Sequence, residues 1–149
     1  MKTNPRLSVP EGRPATRMRH SIAFYETDAM GIVHHSNYLR FMERARVCFL
    51  AEHDRPYREY VADGIHVPVT RASVVYHQPT RFADEIEVSC WLAWARHASL
   101  GFAYRLEVAG AHVASGETDH AIIDDDGRPM RIPPRMRERV NLWLGAGAP

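Results

Sequence analysis

Cysteine and lysine are both scarce in this sequence. The only cysteines are Cys48 and Cys90, and neither has a second Cys or His at the short spacing typical of zinc sites. Because both lie in apolar stretches, we expect two reduced cysteines packed in the core. Lys2 is the only lysine. The other basic side chains are therefore arginines, which bind phosphates and carboxylates through paired hydrogen bonds.

The sequence also lacks long apolar runs and a charge excess. No uninterrupted apolar run approaches the roughly 20 residues of a membrane span. Residues 1–17 lack the apolar segment of a secretory signal, so we expect a cytoplasmic protein without a membrane span. The formal net charge of +1 argues against a nucleic acid as the main partner, because such proteins carry a basic excess.

The composition that is present is that of one globular domain. The chain has 149 residues, of which 45% are hydrophobic and 25% are charged, as in an average soluble domain. Residues 1–16 contain several prolines and few large apolar side chains, which predicts a flexible tail. The domain is predicted over residues 17–143, and residues 144–149 form a second tail rich in Gly and Ala.

Residues 37–52 have the spacing of an amphipathic helix. Apolar side chains recur at every third or fourth position, whereas most of the charged side chains fall between them. Ser36 stands where an N-cap is expected. The apolar positions are Tyr38, Phe41, Met42, Ala45, Cys48 and Phe49. The spacing therefore predicts one long helix with one buried face.

Most of the remaining chain alternates apolar and polar side chains, as half-buried strands do. The predicted strands are residues 18–25, 65–77, 85–94, 100–108 and 112–123, and a short helix follows Pro133 and Pro134. Pro68 cannot donate to a ladder hydrogen bond, which places its segment at an edge or a bend. Hairpin turns are predicted at residues 95–98 and 109–110. The order predicts an α+β fold, in which a curled antiparallel sheet of about five strands wraps one central helix.

The loop between the first strand and the long helix carries the residues of chemical interest. Asp28 lies in this loop with Gly31, just before the helix begins. The unpaired N–H groups and the dipole of a helix N-terminus both favour negative charge. A carboxylate that faces these amides can act as base or nucleophile on a carbonyl that they polarise. Hydrolysis of a carbonyl compound by such an arrangement would need no metal.

A resemblance to a known family lies in residues 25–46, which read YETDAMGIVHHSNYLRFMERAR. This run resembles the signature of the 4-hydroxybenzoyl-CoA thioesterase family, in particular its bacterial acyl-CoA thioester hydrolase branch. The resemblance implies the hotdog fold over roughly residues 17–143. It also implies hydrolysis of an acyl- or aroyl-CoA thioester to the free acid and CoA. Neither a metal nor a cofactor is implied, since CoA is part of the substrate.

The resemblance also implies roles for residues of the loop and the helix start. Asp28 corresponds to the catalytic carboxylate, and the backbone amide of His35 corresponds to the oxyanion donor. Gly31 gives the loop its close approach, and Tyr38 falls in register with the signature. Whether Asp28 acts as a general base or as a nucleophile stays open.

Two further implications concern coenzyme binding and assembly. The hairpin tip with Arg96, His97 and Ser99 resembles the place where family members contact CoA. The family also implies a homo-oligomer, either a dimer or a homotetramer built as a dimer of dimers, with each site formed by two chains. Met30 and His34 depart from the residues of some relatives, so no acyl preference is carried over.

Each of these residues has a simpler interpretation. Asp28 can be a structural acid that caps the helix, and Tyr38 can be a packed aromatic. Arg96 can be a solvated residue of a hairpin tip. The neighbouring His34 and His35 suggest a metal, although a site needs three or four converging ligands.

Two alternative functions also remain for the whole chain. One is a hotdog-type dehydratase acting on a hydroxyacyl thioester, a reaction that usually pairs a His with a carboxylate. The resemblance offers no such pair. The other is a non-catalytic module that binds an acyl thioester or a protein, and such a module would not need to retain Asp28 and Gly31.

Overall fold

The long predicted helix lies against a single antiparallel sheet in the computed structural model, which describes residues 8–145. The strands are β1 (Thr16–Ser21), β2 (Val69–Tyr76), β3 (Glu85–Ala95), β4 (Ser99–Val108) and β5 (Ala111–Ala121). The helices are α1 (Asn37–His53), α2 (Tyr57–Ala62) and α3 (Pro134–Trp143), and a 3-10 turn at Phe24–Glu26 follows β1. As far as the described residues go, none of these helices is long and apolar enough to cross a membrane. The predicted α+β architecture is confirmed.

The sheet has the strand order β1-β3-β4-β5-β2, so β1 and β2 form its edges. The strands β3, β4 and β5 form the predicted meander. The turn between β4 and β5 has positive φ at both Ala109 (49°) and Gly110 (80°), which is the type I′ geometry that suits the twist of a hairpin. Pro68 directly precedes β2, which begins at Val69 rather than at residue 65. The predicted edge position of this segment is confirmed.

The helix α1 buries the face that its spacing predicts. Its side chains Phe41, Met42, Ala45 and Phe49 are at most 1% exposed. Full burial of a large apolar side chain contributes about 1.5–3 kcal/mol relative to exposure. The helix approaches the sheet closely at Gly116, where an added Cβ would lie 2.5 Å from Sδ of Met42. The absence of a side chain at this glycine therefore permits the helix to rest on β5.

The first strand is shorter than predicted. β1 ends at Ser21 rather than at residue 25, and Phe24 and Tyr25 are 75% and 85% exposed. The chain turns here because the Glu26 carboxylate accepts a hydrogen bond from the Ala23 N–H at 2.7 Å, which closes the 3-10 turn. The sequence pattern does not reveal this turn, because Phe24 continues the alternation of apolar residues that predicts a strand although its side chain is exposed.

The two cysteines occupy different environments. Cys90 is fully buried in β3, where burial raises the pKa of its thiol. Cys48 is a free and exposed thiol, so its predicted core position is wrong. The reason is the width of the buried face of α1, which includes Ala45 and Phe49 but leaves Cys48 at its border.

The predicted tails coincide only in part with the described residues. Residues 1–7 and 146–149 lie outside that part of the chain. The Arg13 guanidinium donates a hydrogen bond to the Leu92 carbonyl at 2.8 Å, and Thr16 is buried in β1. The sheet therefore begins one residue before the predicted boundary at residue 17.

Candidate active site

The Asp28 loop is closed by its own hydrogen bonds. The Asp28 N–H donates to the Ile32 carbonyl at 2.8 Å, and the Asp28 carbonyl accepts from the Gly31 N–H at 2.9 Å. Gly31 has a φ of +76°, a left-handed conformation that glycine adopts without strain. The carboxylate oxygen Oδ1 of Asp28 accepts from the Met30 N–H at 2.9 Å. The second oxygen, Oδ2, has no hydrogen-bond donor within residues 8–145, so this half-buried carboxylate keeps one oxygen for a ligand.

Among the described residues, one backbone donor just before α1 is unoccupied. Ser36 is the N-cap residue as predicted, but its side chain makes no capping hydrogen bond. Its hydroxyl and its N–H both contact Nδ1 of His34, at 2.7 and 3.2 Å. The His35 carbonyl accepts from the Tyr76 hydroxyl at 2.9 Å, while the His35 N–H has no acceptor in the described part of the chain. An amide of this kind is available to an oxyanion.

Tyr38, in the first turn of α1, is a buried aromatic residue. Its side chain is 2% exposed, and its ring meets the ring of Tyr76 edge-on at a centroid distance of 4.9 Å. Its hydroxyl shares a hydrogen bond of 2.7 Å with Oγ1 of Thr80. Burial raises the pKa of Tyr38, although the hydrogen bond to Thr80 opposes this. The arrangement is that of a packed aromatic whose hydroxyl is already bound.

These residues meet at one open cleft of about 420 Å³. The cleft is lined by Asp28, Met30, Ile32, Val33, His35, Tyr38, Tyr76, His77, Gln78 and Pro79. The structure thus brings together three of the predicted site residues, Asp28, His35 and Tyr38, and Gly31 shapes the loop beside them. A carboxylate and a helix N-terminus that share a cleft can hydrolyse an activated carbonyl compound.

The histidine pair at the helix start does not form a metal centre with other side chains. The rings of His34 and His35 lie 4.2 Å apart. Over residues 8–145, no group of three or more His, Cys, Asp or Glu side chains converges to hold a metal ion. The pair alone does not supply the three or four ligands that zinc requires.

The predicted CoA-binding tip lies away from this cleft within one chain. The Arg96 N–H donates to the Ser99 carbonyl at 2.8 Å, and the His97 carbonyl accepts from the Ile132 N–H at 2.8 Å. On β5, Ala114 pairs with Tyr76 of the cleft, whereas Ala121 pairs with Ser99 of the tip. At about 3.3 Å per residue, the two positions are about 23 Å apart along the strand.

Comparison with known proteins identifies the family of the chain. A family model described as the Thioesterase-like superfamily matches residues 22–140. The chain belongs to the thioesterase-like superfamily. The predicted family resemblance and the predicted enzyme class, a thioester hydrolase, are thereby confirmed.

Individual relatives agree with this assignment. A putative esterase from Aquifex aeolicus is 35% identical over 120 residues, which are 80% of this chain and 93% of that protein. The acyl-CoA thioester hydrolase YbgC from Escherichia coli O157:H7 is 29% identical over 114 residues, covering 76% of this chain and 83% of that protein. A crystal structure of a thioesterase complexed with coenzyme A and Zn from Thermus thermophilus has a TM-score of 0.78 and 27% identity, and covers 93% of this chain and 100% of that one. The predicted hotdog fold is confirmed.

This thioesterase-like chain also contains a hydrogen-bonded cluster around the buried Glu26 that sequence reasoning missed. Glu26, whose side chain is 8% exposed, accepts a hydrogen bond at 2.7 Å from Nε2 of His20. Nδ1 of His20 lies 2.8 Å from a guanidinium nitrogen of Arg44. Because a guanidinium only donates, the ring accepts at Nδ1 and carries its proton on Nε2. The available signal was His20 itself, a lone polar residue on the apolar face of β1.

The cluster also bears on the dehydratase alternative. The resemblance offers no dedicated His–carboxylate pair, but the structure contains one between His20 and Glu26. However, both ring nitrogens of His20 are occupied, and neither residue lines the cleft that contains Asp28. The pair therefore offers no free nitrogen to a substrate in that cleft.

Proposed function

We propose that the protein hydrolyses acyl-CoA thioesters, with Asp28 as the reacting carboxylate and the His35 amide as the oxyanion donor. The observation that carries this proposal is the cleft in which a carboxylate oxygen and a helix-start amide are both unoccupied by protein partners. The relative named acyl-CoA thioester hydrolase and the neighbour complexed with coenzyme A support CoA as the thiol half of the substrate.

Two routes fit this arrangement. In the first, Asp28 accepts a proton from a water molecule whose oxygen attacks the thioester carbonyl carbon. In the second, Asp28 itself attacks, the C–S bond breaks, and water then hydrolyses the mixed anhydride. In both routes the His35 N–H stabilises the negative charge that develops on the carbonyl oxygen, and CoA leaves as the thiolate.

The oligomer expected from the sequence becomes part of this proposal through the edge strand β2. Its side chains Val69, Val75 and Tyr76 are 47%, 57% and 47% exposed, and an unpaired edge is a surface that proteins pair or cover. We infer that two β2 strands pair antiparallel across a twofold axis, as isologous dimers do. Such a dimer can pair again into a dimer of dimers.

This pairing would bring the CoA-binding tip to the cleft of the other subunit. Antiparallel pairing sets the Tyr76 end of one β2 beside the Val69 end of its partner. The tip lies at the Val69 end, because Val69 pairs with His120 and Ser99 pairs with Ala121. Arg96 of the partner subunit would thus share one end of the continuous sheet with the Asp28 cleft.

A second and more enclosed cavity, of about 240 Å³, lies at that same end. Its walls are mostly apolar and include Val47, Leu50, Val69, Leu100, Phe102 and Met136. In the paired arrangement it faces the partner's cleft, and its apolar walls suit the acyl half of the substrate.

The proposal is tested with a hydrolysis screen over short, medium, long and aromatic acyl-CoAs, in which released CoA is detected with a thiol reagent. We expect turnover of at least one class, unchanged by a chelator, since no metal takes part. Absence of turnover across the screen would contradict the proposal. Loss of activity in chelator that added zinc restores would favour a metal at His34 and His35. The expected cytoplasmic location stays a prediction, to be checked by cell fractionation.

Shared sites can be tested by mixing two damaged chains. A mixed dimer of Asp28→Asn and Arg96→Ala chains contains one site with both substitutions and one site with neither, if Arg96 acts on the partner's cleft. We expect reassociated mixtures to regain a wild-type KM in part of their activity. If each site is built from one chain, no mixture regains it. Light scattering supplies the control, and a fully active monomer would contradict the model.

A further inference from the structure

The residue Glu26 contacts β1, the chain beside the Asp28 loop and the start of α1. Its backbone carbonyl accepts two hydrogen bonds of 2.8 Å, one from the His34 N–H and one from Nδ2 of Asn37. Its carboxylate accepts from the Ala23 N–H and from the His20 ring, both at 2.7 Å. The same residue therefore ties the segment before Asp28 to β1 and to the first turn of α1.

The partner His20 is itself fixed to α1. Its ring lies 4.9 Å from the ring of Phe41, centroid to centroid, and accepts a hydrogen bond of 2.8 Å from Arg44. The contacts from Arg44 through His20 to Glu26 thus connect the middle of α1 to the 3-10 turn at Phe24–Glu26. A buried carboxylate needs such donors, because an unpaired buried charge is strongly destabilising.

We propose that Glu26 is a positioning residue of the hydrolytic site, which sets the Asp28 carboxylate in register with the His35 amide. This proposal rests on the proposed function of those two groups. The carboxylate of Glu26 holds the loop that precedes Asp28, and its carbonyl holds the backbone that follows His34. Since a displacement of about 1 Å can cost about 10²-fold in rate, a residue that holds both groups controls turnover without touching substrate.

The kinetic test compares two substitutions at Glu26. Glu26→Ala removes both side-chain hydrogen bonds, and we expect kcat to fall by about 10²-fold with little change in KM. Glu26→Gln keeps an acceptor oxygen for the Ala23 N–H and the His20 ring, so it should restore most of the lost kcat. If Glu26→Gln is as damaging as Glu26→Ala, the charge itself takes part and the positioning role is wrong.

A matched control separates positioning from general destabilisation. Asp54, whose side chain is 2% exposed, also accepts a hydrogen bond, from Tyr60, but lies at the opposite end of α1. We expect Asp54→Ala to lower the melting temperature while leaving kcat at 25 °C near that of the wild type. If Glu26→Ala lowers kcat no more than Asp54→Ala does, Glu26 is only a structural residue.

Hydrogen exchange tests the positioning role without any substrate. In Glu26→Ala the amides of residues 27–35 should exchange faster than in the wild type, while those of β4 stay unchanged. Asp54→Ala should leave residues 27–35 protected. Unchanged protection of this segment in Glu26→Ala would overturn the proposal. Because this measurement needs no turnover, it distinguishes failure of the positioning role from failure of the proposed hydrolytic function.

Discussion

The two ends of α1 each hold an aspartate, and the two carboxylates differ in what surrounds them. At the N-terminal end, Asp28 is half-buried, and within the described residues only its Oδ1 accepts a hydrogen bond, from Met30. At the C-terminal end, Asp54 accepts a hydrogen bond from the Tyr60 hydroxyl and has Nε of Arg139 at 3.5 Å. Among the described residues, one oxygen of each carboxylate lacks a hydrogen-bond donor, but Asp28 lines an open cleft whereas Oδ1 of Asp54 is buried.

The difference shows that the surroundings, rather than the residue type, decide whether an aspartate is open to a ligand. Asp54 locks α1 to α2 and α3, and burial together with this carboxylate raises the pKa of Tyr60. Asp28 faces a cleft beside the N-terminal end of α1, where the helix dipole favours negative charge. Each of the following predictions tests one side of this comparison.

The largest expected effect is the loss of the open carboxylate. Asp28→Asn keeps the size of the side chain but removes its basicity and its charge. General acid–base catalysis alone contributes about 10²–10⁴-fold, so we expect kcat to fall by at least that range while the melting temperature is retained. Steady-state kinetics on the best acyl-CoA of the screen measures it. Substantial activity in the folded variant would remove Asp28 from the mechanism.

The enclosed carboxylate should give the opposite result. Asp54→Ala leaves the Tyr60 hydroxyl without its acceptor and the Arg139 guanidinium without its ion-pair partner. We expect a destabilisation of about 2 kcal/mol, since a buried polar group loses its partner. Urea unfolding measures this loss, and turnover at 25 °C serves as the control. A stable but inactive Asp54→Ala protein would show that Asp54 serves activity rather than stability.

His120 is a buried ionisable residue, and unlike the two aspartates it is uncharged at neutral pH. His120 is 1% exposed and bonded through Nδ1–H to the Val67 carbonyl, while its Nε2 contacts the Thr118 hydroxyl. Burial, reinforced by the nearby charge of Arg46, lowers the pKa of His120 to about 4. The unfolded chain takes up this proton below about pH 6.5, whereas the native state does not until about pH 4, so stability is lost as the pH falls through this window.

The size of this pH effect is about 2 kcal/mol at pH 5 relative to pH 7.5. It is measured as the difference in unfolding free energy between the two pH values. His120→Gln, which keeps a donor and an acceptor in the same cavity, should lose this part of the pH dependence. If His120→Gln and the wild type lose the same unfolding free energy between pH 7.5 and pH 5, groups other than His120 cause the pH dependence.

The smallest expected effect concerns the exposed tip. Arg96 is exposed, and its guanidinium lies 5.4 Å from the ring centre of Trp94. We expect Arg96→Ala to raise KM for acyl-CoA by several-fold, about 1 kcal/mol, with little change in kcat, because phosphate contacts exist equally in ground and transition states. High salt should weaken the effect. An acyl-pantetheine, which lacks the nucleotide, is the control substrate, and an equal loss on both substrates would contradict nucleotide binding.

Several features could be predicted from the sequence because they depend on local physics. The apolar spacing of Phe41, Met42, Ala45 and Phe49 determines one buried helix face, and alternation in β3 and β4 determines two-sided strands. An acid and a glycine ahead of a helix start suffice to locate the loop of Asp28. These patterns act within a few residues, so a single chain displays them directly.

Other features depend on contacts between distant segments, and only the tertiary structure decided them. The sheet order places β2 at an edge, which no local pattern specifies beyond Pro68. The pair of Glu26 with His20 arises because β1 and the following turn fold back against α1. The local pattern places Asp28 before α1 and Asp54 after it, but it does not show which carboxylate other side chains enclose. Their roles separate only when folding brings Tyr60 and Arg139 to one carboxylate and leaves the other facing a cleft.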